Sequence, residues 1–121
     1  MILIFILYSC GVNMGTRIDI DNLNVFFLEG VQKEKAIAFA NYWKDNGFIG
    51  ERKQVIQLEN DNNVILVKLI ERDFFYDEPI TIEEEMLLQN LERDLERKVF
   101  QQGVEIVITD NTFRPIEKRN P

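Results

Sequence analysis

Lys53-Gln-Val-Ile-Gln-Leu-Glu59, Asn60-Asp-Asn-Asn63 and Val64-Ile-Leu-Val-Lys-Leu-Ile-Glu71 form the stretch on which the fold turns. The first and third pieces carry the two-residue alternation of strands. Ile56 and Leu58 share a face with Gln54, and Ile65, Val67 and Leu69 share a face opposite Lys68, so one side of each strand should be covered. The four polar residues between them predict a hairpin loop, because short Asn and Asp side chains tolerate left-handed geometry and bond to their own backbone.

A helical pattern lies on each side of this hairpin. Upstream, Leu23-Asn-Val-Phe-Phe-Leu28 is a strand candidate ended by Glu29-Gly30. A helix should follow from Gln32 to Asn46, with Ala36, Phe39, Ala40 and Trp43 as its buried face. Gly47 should take the left-handed position at its end, with Phe48 folding back on the last turn. Downstream, Thr81 reads as an N-cap and Glu84 completes a capping box. Leu88, Leu91, Leu95 and Val99 make one apolar stripe, Asp94 and Lys98 can pair at i,i+4, and Gly103 reads as the stop. Val104–Thr109 is the next strand, with Val104, Ile106 and Ile108 inward. Asp110-Asn111 then turns the chain toward a short Phe113–Glu117 edge strand interrupted by Pro115.

The order β-α-β-β-α-β predicts an α+β, ferredoxin-like (split βαβ) two-layer sandwich. Its four-stranded antiparallel sheet would carry both helices on one face, with a short fifth C-terminal edge strand beside it. The other sheet face, where Phe26, Leu28, Val64, Leu66 and Ile70 fall by register, would be open to a partner. One modest domain suits the chain length of 121 residues. Net charge is −7, a sign that repels phosphate backbones, so no nucleic-acid partner is expected.

The N-terminus suggests an address. Met1-Ile-Leu-Ile-Phe-Ile-Leu-Tyr-Ser9 is uncharged and mostly apolar and runs into the single cysteine, Cys10. The run is shorter than the roughly 20 apolar residues a membrane helix needs and fits the short end of a secretory h-region. Leu7-Tyr8-Ser9-Cys10 resembles the lipobox of bacterial lipoproteins. That resemblance implies lipidation (palmitate and related acyl chains) at Cys10 and loss of residues 1–9 as a signal peptide. It further implies attachment to the bacterial membrane in the cell envelope, the outer membrane in a Gram-negative cell. Residues 10–21 would then be anchor and tether, 22–118 the domain and 119–121 a tail. The alternative is a soluble cytoplasmic domain with residues 2–8 as a buried strand and Cys10 as an ordinary thiol.

Residues 23–118 also resemble a small family of uncharacterised bacterial domains found in exported or membrane-attached proteins. The likeness rests on Gly30-Val31, Lys33-Glu34 with Ala36, Asn46-Gly47-Phe48, Val55-Ile56-Gln57-Leu58, the aliphatic strand 64–70, Val99-Phe100, Gly103-Val104, Val107 and Phe113. Where that family has Thr before the first helix, this chain has Gln32, a poorer cap. The resemblance implies the architecture and export, and it supplies no catalytic residue.

Chemistry is narrowed by what the chain lacks. With no histidine and one cysteine, it has no Ser-His-Asp or Cys-His system and no His-bearing or Cys₄ zinc motif. No glycine-rich phosphate loop is present, and no cofactor and no metal is expected. Asp19, Asp21, Asn22 and Asn24 resemble the start of a calcium loop, but Leu23 stands where an oxygen ligand is needed. Phe74-Phe75-Tyr76, flanked by Asp73, Asp77 and Glu78, is the candidate binding loop, since clustered aromatics bury large areas at low entropic cost. Aromatics plugging the core beneath the loop are the alternative. An uncharacterised binding or assembly module is therefore expected, without catalytic chemistry. It would meet an envelope protein or another copy through the open sheet face. The enzyme alternative is a carboxylate-dependent hydrolase using Asp73, Asp77 and Glu78.

Overall fold

A computed structural model of the chain describes residues 15–70 and 81–116. The leader, Cys10 and the whole 73–78 loop lie outside the described residues. In chain order the elements are β1 (Thr16–Ile20), β2 (Leu23–Phe27), α1 (Lys33–Asp45), β3 (Gln54–Asp61), β4 (Val64–Ile70), α2 (Ile82–Leu95), a π-helical turn (Glu96–Phe100) and β5 (Gly103–Thr109).

The central hairpin forms as its alternation requires, with Ile56 opposite Leu69 and Leu58 opposite Val67. Its turn is tighter than the four polar residues suggested. Asn60 and Asp61 are paired strand residues, and only Asn62 and Asn63 turn, both at positive φ (53° and 68°). Two-residue hairpin turns of the primed kind need that geometry, and asparagine tolerates it.

The α+β class and the two-layer build hold, but the ferredoxin-like sheet does not. The five strands stand side by side in chain order. β2 runs parallel to β3, and β4 runs parallel to β5, so the sheet is mixed. Two pairings differ from the split arrangement: β3 lies directly beside β2, where β4 was expected, and residues 16–20, expected to be tether, form a strand. Thr16–Ile20 pairs antiparallel with β2 through a tight turn at Asp21 (φ 52°). It occupies the edge of β2 that a split βαβ arrangement reserves for the last strand. β5 is left with the free edge of β4, and each helix returns its chain to the neighbouring position. Gly15 fixes the start of β1, because a Cβ there would stand 2.5 Å from the Phe27 carbonyl oxygen. Among the described residues the expected C-terminal edge strand shrinks to one bridge, Thr109 to Pro115, made by Asp110 N–H on the Arg114 carbonyl and Ile116 N–H on the Ile108 carbonyl, both at 2.9 Å.

Both helices cover one sheet face. Leu23, Val25, Ile56, Leu58, Ile65, Val67, Leu69, Ile106 and Ile108 are buried beneath Ala36, Phe39, Ala40 and Trp43 of α1 and Leu88 and Leu95 of α2. Phe39 ties α1 to the π turn, with its ring 5.0 Å from Trp43 and 6.1 Å from Phe100. α1 ends as expected. Phe48 N–H bonds to the Trp43 carbonyl and Gly47 N–H to that of Lys44, both at 3.0 Å, with Gly47 at φ 76°. This is the Schellman arrangement. At its start Gln32 makes no side-chain cap bond.

α2 starts on the expected capping box. Glu84 N–H donates to the Thr81 hydroxyl at 3.1 Å, and Thr81 N–H donates to the Glu84 carboxylate at 2.8 Å. Its end differs from expectation. Gly103 begins β5, and the helix closes instead through the π turn, with Gln101 at φ 54° and its N–H on the Glu96 carbonyl at 2.8 Å. The wider turn leaves carbonyls short of partners. Lys35 of α1 supplies one, donating to the Val99 carbonyl at 3.2 Å and also to the Gln101 side chain.

The far sheet face is not the open apolar surface expected. Phe26, Leu28, Val64 and Leu66 are half-buried, and Ile70 and Gln57 are buried. Phe113, itself buried, sits edge-on to Phe26 at 6.4 Å. A Glu59–Lys68 ion pair crosses the same face.

Candidate functional site

The open apolar surface lies on the helix layer. Tyr42 and Trp43 come from the last turns of α1, Phe48 follows its glycine stop, and Leu69 rises from β4. Opposite them stand Leu87, Leu88 and Leu91 of α2. These residues wall a groove of about 1080 Å³, with Glu84, Asn90, Arg93, Asp94 and Arg97 at its polar margins. That volume lies just above the range of about 300–1,000 Å³ seen for small-molecule sites.

One wall is held rigid by a buried amide. Gln54 accepts from the Trp43 indole N–H at 2.9 Å and donates to the Phe48 carbonyl at 2.7 Å. Phe48 then lies 4.8 Å from Trp43, ring to ring, and is still 40% exposed. Trp43 is a core residue with its edge on the groove.

At the far end the helices meet through polar groups. The Tyr42 hydroxyl donates to the Asp94 carboxylate, which also pairs with Lys98 at 3.3 Å and Arg97 at 3.4 Å. Burial first, and the Asp94 bond next, hold the Tyr42 phenol above its ordinary value of 10. The same hydrogen bond, together with the two cations, holds the Asp94 carboxyl below the usual range. Near neutral pH the pair is therefore a neutral donor and an ionised acceptor. It can orient a polar group at the groove end, and neither member is poised to exchange a proton there.

The groove wall residue Leu87 is 68% exposed, and beyond the groove α2 also exposes Ile82 at 80% and Met86 at 57%. Large apolar side chains adjoining an apolar groove mark an interaction surface more strongly than scattered ones do. Sequence reasoning passed over them, although a signal was there. Ile82, Met86 and Leu87 are surplus to the 88/91/95/99 stripe, so the apolar arc of α2 is wider than one buried face needs.

The residues singled out from sequence fall differently. Cys10 and the whole loop set Asp73, Phe74, Phe75, Tyr76, Asp77 and Glu78 lie outside the described residues. Three of the four candidate calcium residues are otherwise engaged, Asp19 with Arg17, Asp21 with Lys44 and Asn22 donating to the Gly50 and Glu51 carbonyls, and Asn24 is buried in β2. Among the described residues no cluster of three or more His, Cys, Asp or Glu groups could hold a metal, and no helix is long and apolar enough to cross a membrane. Comparison with protein-family models, with curated proteins and with solved structures gave no match.

Proposed function

We propose that this chain is a binding or assembly module that works through the groove between α1 and α2, held at the bacterial envelope by a lipid on Cys10. The groove carries the binding half of the reading. Trp43, Phe48, Leu87, Leu88 and Leu91 offer an apolar body, and Tyr42 with Asp94 offers one polar anchor. That mixture suits an apolar or amphipathic partner. The lipobox-like Leu7-Tyr8-Ser9-Cys10 supports the anchoring half.

Titration with 1-anilinonaphthalene-8-sulfonate tests the groove. Saturable fluorescence enhancement that a Leu87→Glu substitution abolishes is expected, because Leu87 is exposed and its loss should not unfold the chain. Equal enhancement in both proteins would place binding elsewhere. For the anchor, the intact mass of the membrane fraction is compared with that of a Cys10→Ala variant. A chain starting at residue 10 with added acyl mass is expected only for the wild type. Unprocessed, soluble protein in both cases would remove the envelope from the reading.

A further inference from the structure

We infer that the outer face of α2 pairs with α2 of a second copy, antiparallel about a two-fold axis near Gln89 and Asn90. The inference rests on the assembly side of that reading and assigns a partner to the face of α2 beside the groove. Ile82, Met86, Asn90, Arg93 and Arg97 recur at three- or four-residue spacing and form the outermost stripe of the helix. All but Arg97 lie in α2 proper, Arg97 lies in the π turn, and every one of them is exposed.

The stripe is divided by charge. Its first turn is acidic, with Glu83 exposed beside Ile82. Its other end is basic on the outside because the acidic residues there point elsewhere. Glu92 accepts from Ile106 N–H at 2.7 Å and Glu96 from Val104 N–H at 3.1 Å. Asp94 faces the groove, bonded to Tyr42. Arg93 and Arg97 are the exposed charges of that half, Arg93 donating to Asn90 at 3.1 Å and Arg97 sharing Asp94 with Lys98 at 3.4 Å, so Arg97 keeps donors for a further carboxylate.

An antiparallel pairing satisfies both halves at once. Glu83 of each copy meets Arg97 of the other, and Met86 lies under the alkyl stem of Arg93 of the other, where a long cationic side chain can cover apolar surface and keep its head in water. The same patch serves both copies, as a closed two-fold contact requires. The helical stretch is about 21 Å long at 1.5 Å per residue, so the contact is smaller than a standard interface and the dimer is a weak one. Confinement to a membrane surface would favour it by raising the effective concentration.

Sedimentation equilibrium of the full chain carrying Cys10→Ala, which removes the only thiol, tests the inference at roughly 10 to 500 µM, the span in which a contact of this size should respond. The expected weight-average mass climbs from 14.3 kDa toward twice that value. Glu83→Arg or Arg97→Glu alone should weaken association about tenfold, since each reversal creates two repulsive contacts in a two-fold pair. The double variant should recover it, because both contacts are then attractive again. Met86→Glu should abolish it. A monomer throughout, or a dimer indifferent to these changes, overturns the inference. Wild type that stays monomeric yet binds the fluorescent probe through Leu87 would sink self-pairing alone and leave the groove reading standing. Failure of both readouts would remove both.

Discussion

The two helices share one sheet face and use their apolar residues differently. α1 turns Ala36, Phe39, Ala40 and Trp43 inward, all buried, and leaves one large apolar side chain, Ile37, exposed. α2 buries only Leu88 and Leu95 within its α-helical part, and leaves Ile82, Met86 and Leu87 exposed. Their ends are reversed as well. α1 begins without a side-chain cap and closes on a well-formed glycine stop, whereas α2 begins on a full capping box and closes through a π turn that needs Lys35 from its neighbour. A helix with its whole apolar face covered explains stability. One that is well started by local bonds and keeps an apolar face open has surface to give to a partner. In the proposed reading α1 mainly builds the core and lends Tyr42 and Trp43 to the groove, and α2 is the helix offered to a partner.

Substitutions can break that contrast. Trp43→Ala should cost about 3–5 kcal/mol, as removal of a large buried ring usually does, read from the midpoint of urea unfolding. It also frees Gln54 and loosens the Phe48 wall, so probe binding should fall in the protein that remains folded. Thr81→Ala should cost about 1 kcal/mol by loss of the cap. The reciprocal change, Gln32→Thr, should gain roughly 0.5 kcal/mol, because it offers the missing acceptor to the first turn of α1. Equal responses at Thr81 and Gln32 would contradict the assigned caps. At the small end, Met86→Gln should leave stability within about 0.5 kcal/mol, as surface changes do. A large loss would mean Met86 is core.

The junction between the helices gives a pH test. The Tyr42 phenol is held above its ordinary value of 10 in the folded chain. Its contribution to stability is therefore fully present below pH 10 and is lost as pH rises through the folded value. Unfolding midpoints should decline with pH in the alkaline range, and Tyr42→Phe should flatten that decline. An unchanged slope would show that the Tyr42 phenol does not carry the alkaline loss.

Much of this was legible in the sequence, and what was missed has physical causes. The alternation in 53–71, the Ala36/Phe39/Ala40/Trp43 face and the Thr81–Glu84 box are local, so periodicity and capping chemistry reveal them. Strand order is not local. Alternation says which side of Val25 or Ile56 is buried and is silent on which strand lies beside it, so it could not tell split from sequential βαβ units or show that β1 takes the outer edge of β2. Thr16–Ile20 did carry a clue, since Ile18 and Ile20 alternate with Arg17 and Asp19, but two isoleucines among polar residues also suit a tether. The π turn has no spacing of its own: Gly103 drew attention as a stop while Gln101 took the left-handed position, held through Lys35 from far along the chain. The meeting of Tyr42 and Asp94 is equally long-range. The surplus of apolar residues on α2, by contrast, could have been counted.

The most direct test of α2 as the helix offered to a partner is an amide chemical-shift map of the chain titrated with 1-anilinonaphthalene-8-sulfonate. Shifts concentrated at Tyr42, Phe48, Leu87 and Leu91, with Phe26 and Leu66 on the far sheet face unmoved, are the predicted result. Shifts centred on Phe26, Leu66 and Phe113, with α2 silent, would contradict the account and return the binding surface to the sheet.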